Sequence, residues 1–408
     1  MDAQRIAFVT PEFVTEPYFA GGLANTLDRV TRALVERGHE VVVVVRSDEE
    51  PRRLEHHGVE VRRVGGGWLL RWAGRLLFGR LAETARALDF SLEAYRELRR
   101  LHAERPLSVV QSPSYFACGL LALWWLRVPH VVRITSYRPL MNELEGLVRG
   151  PDRRAVEWLE ALQLRRTRHH FAPSRVVAAT IERELGIRHV PVIRSPIYLE
   201  TGARDPSVVE ERIGTHPFLL YVGRLQRLKG FDLLVDALPG FLTEHPEARV
   251  VCAGGDATSP NGDSMQALAR QRCAAFPDRL IFTGALRHEQ LYPLIAAAKL
   301  VVLPSRMDNL PNACLEAMAL GRPVLGTRGA SFDEVLRDGE SGFLAPAGDG
   351  AALAEKLAEA WSHPRLKQIG EAARRESELL GVEPTIGALL DLYRRVLESE
   401  GPAANRPA

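Results

Sequence analysis

Two carboxylates, Asp308 and Glu316, stand eight residues apart in a stretch that runs from Pro304 to Gly321. The apolar run before that stretch delivers the chain to a loop holding Asp308. Pro311 suits the first turn of a helix, where its missing N–H costs nothing, and Glu316 falls more than a turn further along. One acid ahead of a helix and one upon it can accept hydrogen bonds from two separate groups of hydroxyls. Between them the helix start favours an anion by about 0.3–1 kcal/mol where exposed. Each acid alone has a plainer reading: Asp308 as a helix cap, Glu316 as a surface charge. The neighbours Leu315, Ala317 and Met318 make a solvated face less comfortable for Glu316.

A second group follows the strand-like run ending in Tyr221-Val222-Gly223-Arg224. Arg224 and Lys229 lie five residues apart, with Gly230 next, in the loop before a helical segment. Arginine offers a planar fork and lysine a compact charge, a pairing that can hold a diphosphate. Lysine is scarce: Lys229, Lys299, Lys356 and Lys367 are the four among 53 cations, so a lysine at 229 runs against the chain's preference for arginine. A third group is Gly21-Gly22, placed before a helix expected from Leu23. A glycine pair there lets backbone N–H groups approach an anion at the positive helix end. The twelve residues from Pro11 to Gly22 do not form the G-x-G-x-x-G dinucleotide pattern, which argues against an NAD-dependent dehydrogenase.

These groups need elements to position them, and strand-like and helix-like segments alternate along the chain. Ile6–Thr10, Val41–Val45, Val59–Val64, Ser108–Val110, Val131–Ile134, His170–Phe171 and Val190–Ile193 read as strands. The five valines of Val41–Val45 suit a parallel strand buried on both faces. Helices are expected at Leu23–Arg37, Leu81–Arg100, Ala155–Arg168 and Arg175–Leu185. After a stretch rich in Pro, Gly and acids the alternation restarts. Strands are expected at Phe218–Val222, Arg249–Ala253, Leu280–Thr283, Leu300–Leu303 and Val324–Gly326, with helices at Phe231–Leu242, Met265–Phe276, Glu289–Ala298 and Ala313–Leu320. The fold class is α/β, with doubly wound domains at 1–195 and 217–384, a linker at 196–216, and a C-terminal helix and tail at 385–408. Two such domains make a cleft at the carboxyl ends of their sheets, and the amphipathic Ile386–Glu398 is expected to pack back across the join.

With 408 residues, 46% apolar and 25% charged, the chain has the balance of an ordinary soluble protein of about two domains. Residues 1–195 carry 30 arginines against 23 acids, a net +7, and the remainder carries 23 cations against 28 acids, a net −5. The halves therefore suit different partners. No dense basic run interleaved with aromatics is present, so no nucleic-acid partner is expected. Cys118, Cys252, Cys273 and Cys314 lack metal or disulfide spacing and read as small buried residues.

Gly21-Gly22, the Gly-Arg-Leu-x3-Lys-Gly stretch from Gly223 to Gly230, and Asp308-x7-Glu316 followed by Ala-Met-Ala-Leu-Gly occur in that order. Together they resemble the retaining GT-B-fold glycosyltransferases of family 4, the glycosyl transferases group 1. The resemblance spans nearly the whole chain and is most specific over 218–348. It implies two Rossmann-like doubly wound domains facing across a cleft, the first binding acceptor and the second a nucleotide sugar. Arg224 and Lys229 would then bind the leaving diphosphate, and Asp308 the donor-sugar hydroxyls, these three forming the catalytic group. Glu316 would bind the nucleotide ribose, and the backbone around Asn309, Leu310 and Asn312 would lie near the sugar. Gly21, Gly22 and Gly223 would approach the donor, and Gly254, Gly255 and Leu286 would line its base pocket. Two departures stand out: Asp308 replaces a common Glu, and Arg133-Ile134-Thr135-Ser136-Tyr137 replaces a segment that often holds a His, leaving Arg133 or Tyr137 on the acceptor side.

The expected activity is sugar transfer from a nucleotide-diphosphate sugar to a glycan, lipid-linked or small-molecule acceptor, with retention of anomeric configuration. No cofactor is expected and no metal, because two cations and a helix end can stabilise the leaving group and no Asp-x-Asp motif occurs. The alternatives are a non-catalytic binding or scaffold relative and a sugar-nucleotide epimerase. Arginine-rich, lysine-poor usage fits a GC-rich bacterial genome and a setting in cell-surface polysaccharide or glycolipid synthesis. No signal peptide is evident, since Asp2 and Arg5 lead straight into Ile6–Thr10, and no apolar run reaches the ~18–20 residues of a spanning helix. A cytoplasmic protein is expected. Residues 68–80, with two tryptophans, leucines and spaced arginines, have the composition of an interfacial helix and would allow peripheral contact with the inner face of the membrane. A helix packed on its own domain fits that composition equally well.

Overall fold

A computed structural model describes residues 2–17, 22–66, 80–197, 199, 202–258, 262 and 264–400. The chain divides into two compact units. One comprises Met1–Pro139, Val148–Pro196 and Val382–Ala408, the other Leu140–Leu147 and Ile197–Gly381.

The first unit is built on seven strands: β1 (Arg5–Thr10), β2 (Glu40–Arg46), β3 (Arg53–His56), β4 (Val59–Val64), β5 (Val109–Pro113), β6 (His130–Arg133) and β7 (His169–Phe171). Their spatial order is β3-β4-β2-β1-β5-β6-β7. Every pairing is parallel except β3 with β4, a hairpin edge that the alternation of strand and helix did not suggest. The five valines of β2 are all at most 1% exposed, as burial on both faces requires. One face packs on helix Gly22–Glu36 and on the last helix, Val382–Glu400, whose Ile386, Leu389 and Tyr393 join Ile6, Phe8 and Val43 in one cluster. The Tyr393 hydroxyl donates to Gln111 Oε1 at 2.7 Å across 282 residues of sequence. The other face packs on helix Ala82–Glu104 through Phe90, Ala94 and Leu98. Val190–Ile193, expected as a strand, forms only a single bridge between Val192 and Ala172, because Pro191 has no N–H for a ladder.

The second unit holds six parallel strands: β8 (Phe218–Val222), β9 (Arg249–Ala253), β10 (Leu280–Gly284), β11 (Leu300–Val302), β12 (Val324–Arg328) and β13 (Phe343–Pro346). They run in the order β10-β9-β8-β11-β12-β13. Helices Phe231–Glu244, Met265–Arg272 and Gly350–Trp361 cover one face, and His288–Ala297 and Asn312–Ala319 the other. Within the stretch read as a linker, Ser207–Arg212 is a helix whose Val208, with the adjoining Ile213, enters this core. The four cysteines are free and buried.

Two glycines bring main chains together at the carboxyl edge of this sheet. A Cβ on Gly230, at φ 65°, would stand 1.8 Å from Pro304 O, and one on Gly254, at φ 158°, would stand 1.9 Å from Gly223 O. Gly230→Ala and Gly254→Ala are therefore expected to lose on the order of 3 kcal/mol or to fail to fold. Gly240→Ala, inside helix Phe231–Glu244 with nothing within 4 Å, should gain about 0.5–1 kcal/mol. Urea unfolding midpoints of the three variants test this contrast.

Candidate functional site

Because the strands of the second sheet are parallel, the loops after β8, β9, β10 and β11 leave from one edge. The main chain links them beyond the strand ends. Gly223 N donates to Ala253 O at 2.9 Å, Gly254 N to Gly284 O at 2.9 Å and Leu225 N to Gly255 O at 3.0 Å. Gly223 has φ 143°. Arg224 follows with its side chain exposed, its carbonyl accepting the Tyr221 hydroxyl at 2.7 Å. Leu286, beyond β10, is partly buried against the core. Asp256 turns its carboxylate to helix Met265–Arg272, accepting from Gln266 N at 3.0 Å.

Lys229 sits in the 3-10 turn Arg227–Lys229, which ends at the left-handed Gly230. Its Nζ donates to Asp308 Oδ2 at 2.6 Å, so two of the residues singled out from sequence meet directly. The aspartate side chain is 12% exposed and the lysine 31%. Residues around the pair hold the two loops. Ser331 Oγ donates to Asp308 O at 2.6 Å, Arg306 N donates to Leu228 O at 2.9 Å, and the Arg306 guanidinium grips Asp232 through two bonds of 2.6 and 2.8 Å. Ser331, Arg306 and Asp232 carried no signal from sequence alone, because loop anchors follow no period.

The helix after Asp308 begins at Asn312, with Pro311 as its extended cap rather than in its first turn. Pro311 O accepts from Cys314 N at 2.9 Å and from Leu315 N at 3.1 Å. Leu310 is 7% exposed and part of the core. Asn309 Oδ1 is a buried carbonyl oxygen with no partner among the described residues. Glu316 is buried at 5% exposure, and His288 Nε2 lies 3.8 Å from its Oε1. That imidazole stacks on Tyr292, one helical turn on, at 4.9 Å between centroids. His288 is a site neighbour that the sequence reading missed, although it opens the helix directly after Ala285-Leu286.

In the first unit, Gly21 and most of the interfacial segment expected at 68–80 lie outside the described residues. Gly22 is exposed and opens helix Gly22–Glu36. Arg133 ends β6 and donates to Ser195 Oγ at 3.2 Å; burial pushes its guanidinium down to about 10. It lines a small cavity of about 40 Å³ together with Thr10, Gln111, Ser112, Leu27, Val30 and Leu389. Tyr137 is half-buried, which raises its phenol above the usual range. Between β5 and β6, Ser114 Oγ accepts from Thr135 N at 3.0 Å. The next turn holds Phe116 and Ala117 at φ 64° and 46°, unusual for residues with a Cβ. Glu160 and Gln163 clamp it by accepting from Phe116 N at 2.7 Å and Gly119 N at 3.1 Å, and Arg138 lies 4.8 Å above the Tyr115 ring.

Among the described residues no group of three or more His, Cys, Asp or Glu side chains is arranged to hold a metal ion. No described helix is long and apolar enough to cross a membrane.

Two α/β units built on largely parallel sheets define the GT-B fold class. The chain aligns with sucrose-phosphate synthase from Thermosynechococcus elongatus at a TM-score of 0.76 and 20% identity, covering 97% of this chain and 100% of that one. The Anabaena Alr3699/HepE structure in complex with UDP-glucose aligns at 0.67 and 18% identity, covering 95% and 99%. The family model described as "Glycosyl transferases group 1" matches residues 216–363, and that of the "Glycosyl transferase 4-like domain" matches 21–197. The chain belongs to the group 1 glycosyltransferases. Among curated relatives, the D-inositol 3-phosphate glycosyltransferase of Streptomyces avermitilis is 32% identical over 187 residues, 44% of this chain and 40% of that protein. The Corynebacterium urealyticum protein of the same name is 31% identical over 200 residues, 46% of each. The matches thus span less than half the length of these relatives.

The Lys229–Asp308 pair yields a double-mutant test. Lys229→Met leaves a mostly buried carboxylate without its cation, and Asp308→Asn leaves the lysine without its anion. Each should lose on the order of 1 kcal/mol, a figure already reduced for the lysine's partial exposure. The double variant should recover most of the loss, giving a coupling of about 1 kcal/mol in urea denaturation.

Proposed function

We propose that the chain transfers a sugar from a nucleotide-diphosphate sugar to a hydroxyl acceptor, retaining the anomeric configuration. The observation that carries this reading is the Lys229–Asp308 contact of 2.6 Å at the carboxyl edge of the second sheet, with the exposed Arg224 in the same segment between β8 and the next helix. Breaking the bond between sugar and diphosphate builds negative charge on the leaving oxygen while the sugar becomes oxocarbenium-like. Arg224 and Lys229 meet that charge with preorganised cations, the kind of interaction that contributes most to such reactions. Asp308 keeps a second carboxylate oxygen for donor-sugar hydroxyls. Glu316, buried beside His288, takes the ribose hydroxyls, and the thin backbone at Gly223, Gly254 and Gly255 leaves room for the base and phosphates. Retention is inferred from the family likeness: the acceptor hydroxyl would attack on the face the diphosphate leaves and pass its proton to the leaving phosphate, which requires no protein nucleophile.

The curated relatives are named for an inositol phosphate acceptor, and the first 195 residues carry a net +7. Both favour a phosphorylated polyol or sugar as acceptor. The arginine-rich, lysine-poor composition favours a bacterial setting in cell-surface polysaccharide or glycolipid synthesis.

Two measurements test the reading. In a thermal-shift panel of UDP, GDP, ADP and their sugar conjugates, one base should stand out, with a ligand at about 100 times its Kd adding ~2.7 kcal/mol. No shift with any nucleotide in a folded sample would favour a non-catalytic relative. With the donor known, Arg224→Ala and Lys229→Ala should each lose at least about 100-fold in kcat, with unfolding changed by no more than the lost ion pair. Turnover by the wild type should survive EDTA and be faster with phosphorylated than with dephosphorylated acceptors.

A further inference from the structure

The turn that carries Lys229 is held by a residue distant in sequence. Leu140–Leu147 belongs to the second unit, although the chain on either side of it builds the first. Helix Arg138–Leu144 ends in a tight reversal: Glu145 N donates to Met141 O at 3.0 Å, and Gly146, at φ 72°, donates to Glu143 O at 2.9 Å. Glu145 Oε1 then accepts the Leu228 N–H at 3.2 Å. Leu228 precedes Lys229, and its carbonyl is held by Arg306 N at 2.9 Å, so both polar groups of that residue's backbone are fixed. The charged groups facing Glu145 are Arg224 and Arg227 on the loop and turn, and Asp232 on the helix that follows. A carboxylate thus already occupies a backbone donor beside the cations read as the diphosphate site.

We propose that Glu145 is a positioning residue for the donor's diphosphate, fixing the Leu228 backbone of the cation turn while its charge opposes the incoming anion. This role requires that Arg224 and Lys229 take the diphosphate. Burial raises the Glu145 carboxyl above the usual carboxylate range, against the lowering effects of the Leu228 N–H and of Arg224. A diphosphate placed beside Arg224 adds negative charge and raises it further. Donor binding and proton uptake at Glu145 are therefore linked. The deprotonated form binds the diphosphate more weakly, so affinity falls as pH rises through the titration of this group. A protonated carboxyl still offers its carbonyl oxygen to Leu228, so the turn keeps its shape.

Calorimetric titration of the full chain with UDP, GDP and ADP between pH 5 and 8.5, beside Glu145→Gln and Glu145→Ala, separates charge from position. The nucleotide's own phosphate titration is common to all three proteins, so differences between the curves report Glu145. Glu145→Gln keeps an acceptor for Leu228 and removes the charge. It should bind about three- to tenfold more tightly than the wild type at pH 8, with the difference narrowing as the pH is lowered. Glu145→Ala removes the acceptor as well and should bind about three- to tenfold more weakly than Glu145→Gln at every pH. Superimposable wild-type and Glu145→Gln curves would overturn the charge effect, and equal affinities of the Gln and Ala variants would overturn the positioning. Absence of binding by the wild type would remove the diphosphate reading itself, whereas binding with unchanged curves would remove Glu145 alone. Thermal unfolding without ligand controls for the fold of each variant.

Discussion

At the carboxyl edge of the second sheet, main chains approach so closely that a methyl group does not fit between them. Gly230 against Pro304 and Gly254 against Gly223 are the two places where this happens. Much of the site's geometry follows from the first. With Gly230 in the left-handed region, the turn Arg227–Lys229 lies against the loop leaving β11, close enough for Arg306 N to reach Leu228 O. Two residues after Arg306 stands Asp308, and one residue after Leu228 stands Lys229, so the ion pair is a consequence of that backbone contact. A Cβ at 230, 1.8 Å from Pro304 O, would push the two loops apart and break the Arg306–Leu228 hydrogen bond.

The charges of this edge are arranged in pairs whose members come from different segments of the chain. Arg306 is committed to Asp232 in a two-bonded grip, and Lys229 is shared with Asp308. Arg224 stays exposed. A fully paired buried cation has little left to offer a ligand, and an exposed one is weakened by water. Lys229, a third exposed and already aligned by its partner, lies between these limits.

The sequence disclosed what depends on local pattern. The valines of β2, the run of β8 and the Asp308–Glu316 spacing were legible because burial on both faces and helix geometry leave a period in the residue types. β3 was not, since Arg53-Leu54-Glu55-His56 is an exposed antiparallel edge with a single apolar residue. β13 and helices Gly350–Trp361 and Leu366–Glu378 follow Gly326, where the chemistry-bearing motifs had ended. Val190–Ile193 has strand composition but pairs at one residue only. In the site, the motif residues were visible and their anchors were not. Ser331, Arg306 and His288 act through contacts made across loops, and the membership of Leu140–Leu147 in the second unit leaves no local trace at all.

The helix Val382–Glu400, which fills one face of the first sheet, also fixes the order in which the protein matures on the ribosome. The strands of that sheet are complete once residue 171 has emerged, yet Ile386, Leu389 and Tyr393, which close its apolar face, come after the whole of Ile197–Gly381. At about 5–20 residues per second the intervening stretch takes roughly ten to forty seconds to synthesise. During that interval Ile6, Phe8 and Val43 lack part of their cover while the second unit is being made, its early segment Leu140–Leu147 having been synthesised before. The half made first is thus the half finished last, and the nascent chain carries an open apolar sheet face as a natural client surface for chaperones.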